Sequence, residues 1–488
     1  MQNYSQEQLE KARQFIDDLR YENGGITKDD REFLERKRPG VLKSFDNIRR
    51  KLGASTQILA EQLYQKSIRF VYELIQNDED NKYTITTQSP HLSFTLQSDR
   101  IIIDSNGDGF TQKDIKAICS IGESTKTSIQ GYIGEKVIGF KSVFNVAHKV
   151  HIQSGPYSFA LEYRKGDSID RGLGMVTPLS ERLYELPGDV RTRTILYLHE
   201  DEDREALCQD LIKLPDTLLL FLKNLQQLTV RFELPDQVIQ KMQYSLTRSD
   251  KSHFNNKLQI KAAITGTDSI DTSKSFWVKK HRAFNLPLDP ARQHIYEAEV
   301  VHAFPIDEYA VPVIENQDDY AFLSLRKVGY KVIQAHQLLL VYVEANLDCQ
   351  FLIQSDFVTK TSREDVVVSV WNKRLLEEVV VAFRNAISGP NGFLEHDTLR
   401  YSWIRYIPRD IIADEFWGLL QARLYNELCI SKVFYSMDGS CWKPNQLRIL
   451  LDFFRDEYSN PLLADLAVGE TAYVSESYNV AIDIPILQ

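Results

Sequence analysis

The segment FVYELIQNDEDNKY, residues 70–83, closes the most regular helical pattern in the chain. Upstream of it, residues 56–77 place Ile58, Leu59, Leu63, Ile68, Val71, Leu74 and Ile75 at mostly three- and four-residue steps, which predicts an amphipathic helix. Glu73, Asn77 and Asp80 follow one another at spacings of four and three, so they share one helix face. A carboxylate and a carboxamide one turn apart suit a magnesium-nucleotide site. The Asn carbonyl oxygen is a ligand for a hard cation, and the Glu can polarise a water aimed at a terminal phosphate. Taken alone, the same pattern also fits a solvated polar face at the end of an amphipathic helix.

Working outward, three strand patterns come next: YTITTQ (83–88), HLSFTLQ (91–97) and RIIIDS (100–105), the last closed by the turn NGDG (106–109). In IIIDSNGDGF, residues 101–110, a β-branched run delivers Asp104 to a turn flanked by Gly107 and Gly109. A buried carboxylate there could accept a hydrogen bond from the exocyclic amine of adenine, with the glycines admitting the base close to the backbone. An ordinary Asn-Gly and Asp-Gly turn is the other reading. Asp104, Asn106 and Asp108 also alternate like a calcium loop, but the twelfth position from Asp104 is Ile115, not the required Glu. A short helix over 111–121 and the polar stretch GESTKTSIQ (122–130) lead to GYIGEKVIGFKSVF (131–144). That segment reads as a glycine loop entering a helix, where backbone N–H groups attract phosphate and Lys136 and Lys141 can add charge. It does not match the P-loop spacing.

The succession of Glu-x-x-x-Asn helix, Asp strand with Gly-x-Gly, polar lid and glycine loop resembles the GHKL ATPases, the superfamily of gyrase, heat-shock chaperones, histidine kinases and MutL. The resemblance to the superfamily covers about residues 50–205, and within it FVYELIQNDEDNKY and GYIGEKVIGFKSVF look most like the sacsin and NO VEIN-like branch. The resemblance implies an α+β fold. A GHKL (Bergerat) α/β sandwich with a mixed sheet would be followed by a chaperone-middle-domain-like α/β domain and a helical C-terminal part. It implies ATP or ADP with Mg2+ as cofactors. By that resemblance Glu73 is the general base, Asn77 the magnesium ligand and Asp80 the carboxylate near the base. Gly107 and Gly109 belong to the adenine loop, and Ser124, Thr125 and Lys126 to a lid. Gly131, Gly134, Lys136, Val137, Gly139 and Phe140 belong to the triphosphate loop, and Thr192 is a strand threonine near adenine. Three positions depart from the pattern. The adenine-binding Asp usually stands where this chain has Ser105, and Asp104 is one residue early; strand side chains alternate, so Asp104 is expected to point away unless a bulge re-aims it. Adenine recognition would then fall to Ser105, Asn106 and water. Val137 replaces a glycine, which disfavours a close phosphate approach. Asp78 stands where relatives often have Ala.

Farther along, residues 6–20 and 28–51 read as helices, and 201–235 as helix then strand. Strand patterns recur at LQIKAAIT, SFWVKKHRAF, QHIYEAEVVHAFPI and LLLVYVEA before a helix at WNKRLLEEVVVAFRNAI. FLIQSDFVTKTSRED (351–365) is similar to a chaperone middle-domain loop, which implies that Arg363 reaches the γ-phosphate. A surface arginine in a salt bridge is the other reading. The expected domains are 1–50 (helical), 51–235 (nucleotide-binding), 236–395 (middle-domain-like) and 396–488 (mainly helical).

The chain of 488 residues is long enough for two or three cores. Its net charge of -10 argues against a nucleic-acid partner. Five Cys without a CxxC pair fit a reducing compartment and give no zinc framework. His148 and His151 have no third ligand nearby and read as solvent-facing strand histidines. No apolar run is long enough to span a bilayer, and no secretory signal precedes the first helix. The expected location is cytoplasmic, with the nucleus open. The ending SYNVAIDIPILQ suggests the front part of a longer protein. The expected activity is magnesium-dependent ATP hydrolysis serving protein remodelling, with protein clients or co-chaperones as partners and a homodimer within scope. The alternative is a nucleotide-binding scaffold that does not hydrolyse.

Overall fold

The computed structural model describes residues 4–62, 69–120, 137–163, 172–212, 214–234, 240–248, 257–265, 270–290, 295–313, 331–333, 340–342, 351–358, 366–407, 416–462 and 471–478. They form two compact units, one made chiefly of Met1–Thr247 and the other chiefly of Lys274–Ala335 and Leu339–Gln488.

The first unit opens with helices α1 (Gln6–Glu22), α2 (Lys28–Lys37), α3 (Pro39–Gln62) and α4 (Arg69–Glu79). Ser5 caps α1 in a reciprocal capping box with Gln8, and Thr27 caps α2. The helix expected over 28–51 is two helices. Arg38 leaves helical geometry and Pro39, which has no N–H to lose, starts the next one. Of the helix expected over 56–77, the described residues are helical, in the end of α3 and in α4, and 63–68 lie outside the described residues.

Strands β1 (His91–Gln97), β2 (Arg100–Ser105), β3 (Ala147–Ser154), β4 (Tyr157–Glu162), β5 (Leu179–Ser180), β6 (Thr192–Leu198), β7 (Gln227–Glu233) and β8 (Gln240–Arg248) follow, with α5 (Gln112–Ile118) and α6 (Arg204–Ile212) between them. They lie in the order β8-β7-β1-β2-β6-β3-β4-β5. β1 pairs with β7 in parallel and all the other pairs in this set are antiparallel, so the sheet is mixed. Leu92, Phe94 and Leu96 of β1, Ile101 and Ile103 of β2, and Leu196 and Leu198 of β6 are buried on one face. The buried stripe of α4, from Phe70 and Val71 to Leu74 and Ile75, supplies apolar side chains from the helical layer. The 83–88 run is not a strand. Asp108 accepts hydrogen bonds there from Thr84 Oγ1 at 2.6 Å and the Ile85 amide at 2.9 Å, so a side chain satisfies polar groups that a ladder would otherwise use.

The C-terminal end of α4 is tied down by one carboxylate. Glu79, 1% exposed, accepts from the backbone amides of Lys223 (2.6 Å), Asn224 (2.9 Å) and Leu225 (2.9 Å) just before β7.

The chain continues through β9 (Lys257–Thr265), β10 (Ile270–Ala283), β11 (Ala298–Ile306), β12 (Lys331–Ile333), β13 (Leu340–Tyr342) and β14 (Leu352–Gln354). In the second unit the strand order is β10-β11-β14-β12-β13. Helix α7 (Val370–Ser388), α8 (Leu399–Ser402) and α9 (Trp417–Ile430) complete it around a core of Trp371, Trp403, Trp417, Phe304, Phe351 and Phe383. The segment after α9 is not mainly helical as expected. It forms small strand pairs, Phe434–Tyr435 with Cys441–Trp442 and Leu447–Arg448 with Ala472–Tyr473, turned at Gly439 with φ +83°. Both units are α+β, each with a mixed sheet, and no helix among the described residues is long and apolar enough to cross a membrane.

Candidate functional site

The site is laid out by α4 above the C-terminal end of β2. Glu73 is buried, at 7% exposed, whereas Asn77 and Asp80 are half-buried. The Asn77 carboxamide makes no hydrogen bond to another described residue. Glu73 meets the glycine segment directly. A methyl group added to Gly139 would lie 2.1 Å from Glu73 Oε2 and 2.8 Å from its carboxyl carbon, so only glycine permits this approach. Gly139 belongs to a 3-10 turn over Val137–Asn145, where an α-helix was expected. Phe140 is buried beside it.

At the strand end the alternation of β2 decides which acid faces the helices. Asp104 and Ser105 pair with Arg193 and Thr192 in an unbroken register with β6, without a bulge. Asp104 therefore takes the opposite face, where Arg193 grips it with two bonds, Nε to Oδ1 at 2.6 Å and Nη2 to Oδ2 at 2.7 Å. Ser105, 3% exposed, takes the helix face and donates to Asp78 Oδ1 at 2.5 Å. Its oxygen accepts from the Gly107 amide at 3.1 Å. Asp78 also accepts from Asn81 Nδ2 (3.1 Å) and the Tyr83 hydroxyl (2.6 Å). Burial pushes the Asp78 carboxyl above its usual range against the pull of those donors.

Asn106 is fully buried and occupied elsewhere. Its Nδ2 donates to Thr86 Oγ1, the Ser89 carbonyl and Asp189 Oδ2, and its Oδ1 accepts from the His91 amide at 2.8 Å. It fastens the turn to the 86–91 loop, so the adenine contact expected of Asn106 is not what its side chain is placed for. The alternating acids of the NGDG turn likewise diverge, Asp104 to Arg193 and Asp108 to Thr84 and Ile85. Among the described residues, no group of three or more His, Cys, Asp or Glu could hold a metal.

Ser105, Thr192 and Ser154 stand at matched register positions on the adjacent strands β2, β6 and β3, all buried. Thr192 and Ser154 share a hydrogen bond at 2.7 Å, and Ser154 Oγ accepts from the Phe110 amide at 2.8 Å. Gly109, with φ +95°, turns the chain there; a side chain would be strained and its Cβ would come within 3.2 Å of Ser154 Oγ. The three hydroxyls make a polar row along one end of the helix-facing side, with Thr194 next to it on β6.

Lys141 does not add charge for phosphate. It is 4% exposed, and its Nζ donates to the carbonyls of Ile118 (2.6 Å) and Met175 (2.5 Å). Burial pulls its pKa down to about 8 and pushes the neighbouring Cys119 thiol up to about 12. His151 is not solvent-facing either, since it is buried and bonded to Ser158 Oγ at 2.9 Å. Ser124, Thr125, Lys126, Gly131, Gly134, Lys136 and Arg363 lie outside the described residues, as does the side chain of Val137.

Glu79, Tyr83 and Ser154 have no role in the sequence analysis, where Asp78 is only an unusual residue. A signal for Asp78 was present: it falls four residues after Leu74 and seven after Val71, at the end of the buried stripe. An acid continuing an apolar stripe must meet a donor inside.

The fold and site thus define an α+β protein in which a helix carrying Glu73, Asn77 and Asp78 meets a glycine-bearing turn and a row of strand hydroxyls. The chain is similar to Protein NO VEIN of Arabidopsis thaliana, with 31% identity over 363 residues, which is 69% of this chain and 12% of that protein. The chain therefore matches about an eighth of the length of that relative. No protein-family profile matches the sequence.

Proposed function

We propose that residues 51–235 form a magnesium-dependent adenine-nucleotide site of the GHKL (Bergerat) type, and that it hydrolyses ATP to ADP and phosphate. The observation that carries this is the contact between Glu73 and Gly139, in which a helix carboxylate lies against the backbone of a glycine turn far away in sequence. Glu73 is then the group that accepts a hydrogen bond from water and aims it at the terminal phosphate. The donor chemistry suits the ion. One carboxamide oxygen, on the unengaged Asn77, fits a cation that keeps several waters and shares itself with phosphates. When bound, magnesium would offset phosphate charge and orient the terminal group. Backbone amides at the head of the 137–145 turn offer donors to an anion, and the hydroxyl row of Ser105, Thr192 and Ser154 offers polar contacts for a base. Arg363 is assigned the sensing of the terminal phosphate.

The wider role we propose is nucleotide-driven rearrangement of the lid around Ser124–Lys126 and of the two units, used for remodelling protein clients or acting with co-chaperones. It rests on the resemblance to the sacsin and NO VEIN-like branch and on the partial match to NO VEIN. A second reading, binding without turnover as a scaffold, is favoured by the sequence at Val137, where the resembling relatives have glycine, since a β-branched residue disfavours the backbone conformations that a close phosphate approach needs.

Phosphate release from Mg·ATP by the full chain, compared with Glu73→Ala, tests the proposal. Release in the wild type that falls by about a hundredfold or more in the variant, as expected for loss of a general base, supports hydrolysis. Binding of Mg·ADP without release in either protein supports the scaffold. A wild type that binds neither nucleotide refutes both.

A further inference from the structure

The outer side of α3 has no part in the nucleotide site. The helix packs inward through Leu42, Gly53 and Thr56, all buried. Val41, Phe45, Ile48 and Leu52 follow one another at steps of four, three and four, so they form one row along a different side. Val41 is 53% exposed, Ile48 65% and Leu52 36%. Phe45 lies half-buried between them, with the Arg49 guanidinium over its ring at 5.5 Å from the centroid. A contiguous row of apolar side chains facing water stabilises nothing inside the unit, and such rows mark surfaces that another molecule covers.

The surroundings of the row are cationic. From Arg36 to Leu52 the chain carries seven Lys and Arg and a single acid, Asp46, in a protein whose net charge is -10. Asp46 is engaged by Arg31 at 2.8 Å. Lys37, Arg38, Lys43, Arg50 and Lys51 are exposed, and none of them has a carboxylate partner among the described residues. Lys51 is three residues from Ile48 and so its neighbour on the helix surface, while Lys37 and Arg38 stand just ahead of Val41. Cations therefore flank both ends of the row. A second copy of the same face would set these charges against their like, whereas an acidic occupant would neutralise them. The shape of the row identifies the occupant further. At about 100° per residue its four members fall within about 60° of one another. A helix lying on a membrane needs a broader apolar face, and steps of four and three are those by which one helix seats against another.

We infer that the outer face of α3 is a docking surface for an acidic amphipathic helix of another protein. The apolar stripe of that helix covers Val41, Phe45, Ile48 and Leu52. Its flanking carboxylates meet Lys51 at one end of the row and Lys37 and Arg38 at the other. Burial of the row supplies affinity, and the charge pairs set orientation and reject basic helices.

The probe is a fluorescently labelled helical peptide of about three heptads, with Leu at the a and d positions and Glu at e and g. It is titrated with the full chain and followed by anisotropy, beside a control peptide carrying Lys in place of each Glu. The acidic peptide is expected to bind and the basic one to fail. Ile48→Ser changes an exposed side chain, so its melting is expected to match the wild type while the acidic peptide binds about tenfold or more weakly. Lys51→Glu is expected to weaken the acidic peptide as well, and added salt to shrink that difference. Equal binding of both peptides, binding of neither, or acidic-peptide binding that Ile48→Ser leaves intact overturns the inference. In place of peptide binding, retention on phosphatidylserine vesicles that Ile48→Ser abolishes would make the face a membrane surface. A dimer in sedimentation velocity that the same variant dissolves would make it a contact between copies. Either result overturns the acidic helix, and none of these outcomes depends on nucleotide binding.

Discussion

Replacing Glu79 by Gln examines how α4 is held in place. In the wild type one carboxylate accepts the amides of Lys223, Asn224 and Leu225, with Oε1 taking the first two and Oε2 the third. The Asn224 side chain also donates to the Glu79 carbonyl at 2.8 Å. A glutamine is the same size but presents only one acceptor oxygen. If that oxygen keeps Lys223 and Asn224, the new NH2 group faces the buried Leu225 amide, donor against donor. One buried N–H is orphaned, at about 1–3 kcal/mol, and the two remaining bonds lose their charge assistance. The sum is about 2–4 kcal/mol, or about 5–15 °C in the melting of a unit of this size. The assay can separate the units. All five tryptophans, Trp277, Trp371, Trp403, Trp417 and Trp442, fall in the second unit. Tryptophan fluorescence therefore follows the second unit, while hydrogen exchange over residues 222–226 follows the first. Glu79→Gln is expected to speed exchange at those amides and lower the melting of the first unit, with the tryptophan transition unmoved. Exchange at wild-type rates, with a destabilisation under about 0.5 kcal/mol, would refute the reasoning.

Two further predictions concern pH. Lys141 has a folded-state pKa of about 8 against an ordinary 10.5, so between those values the unfolded chain binds the extra proton and stability rises with pH. The rise is up to about 3 kcal/mol and is expected to vanish in Lys141→Met, as read by calorimetry of the first unit from pH 7.5 to 10.5. His302 is fully buried among Phe304, Phe351 and Phe383, and neither ring nitrogen has a hydrogen-bond partner. Burial lowers its pKa from 6.5 to about 3, so its contribution is intact above about 6.5 and is lost as pH falls toward 3. Loss of up to about 4–5 kcal/mol over that window is expected. His302→Phe is expected to flatten the acid side of the tryptophan-monitored stability curve, and an unchanged curve would show that other groups govern it.

Much of the first unit could be read from local pattern. Leu92, Phe94 and Leu96 alternate in β1, and the stripe of Val71, Leu74 and Ile75 repeats at helical spacing, because burial on one face imposes those periods. The break at Pro39 was equally local, but the regular flanking pattern concealed it. The 83–88 run shows the opposite failure. Its β-branched residues suit a strand, yet Asp108, distant in sequence, claims the hydrogen bonds that would have made one.

By itself the sequence determined the helix that carries Glu73 and Asn77, the strand that ends at Ser105, and the side of that strand to which Asp104 is directed, since side-chain alternation is fixed by the backbone. Only the tertiary structure decided which groups meet. It set Glu73 against Gly139, gave Asp104 to Arg193, engaged Asn106 in the turn and buried Lys141 away from any phosphate. It also turned Asp78 from an oddity into the partner of Ser105. These pairings join residues far apart in the chain, and a hydrogen bond depends on distance and direction in space, neither of which a local period encodes.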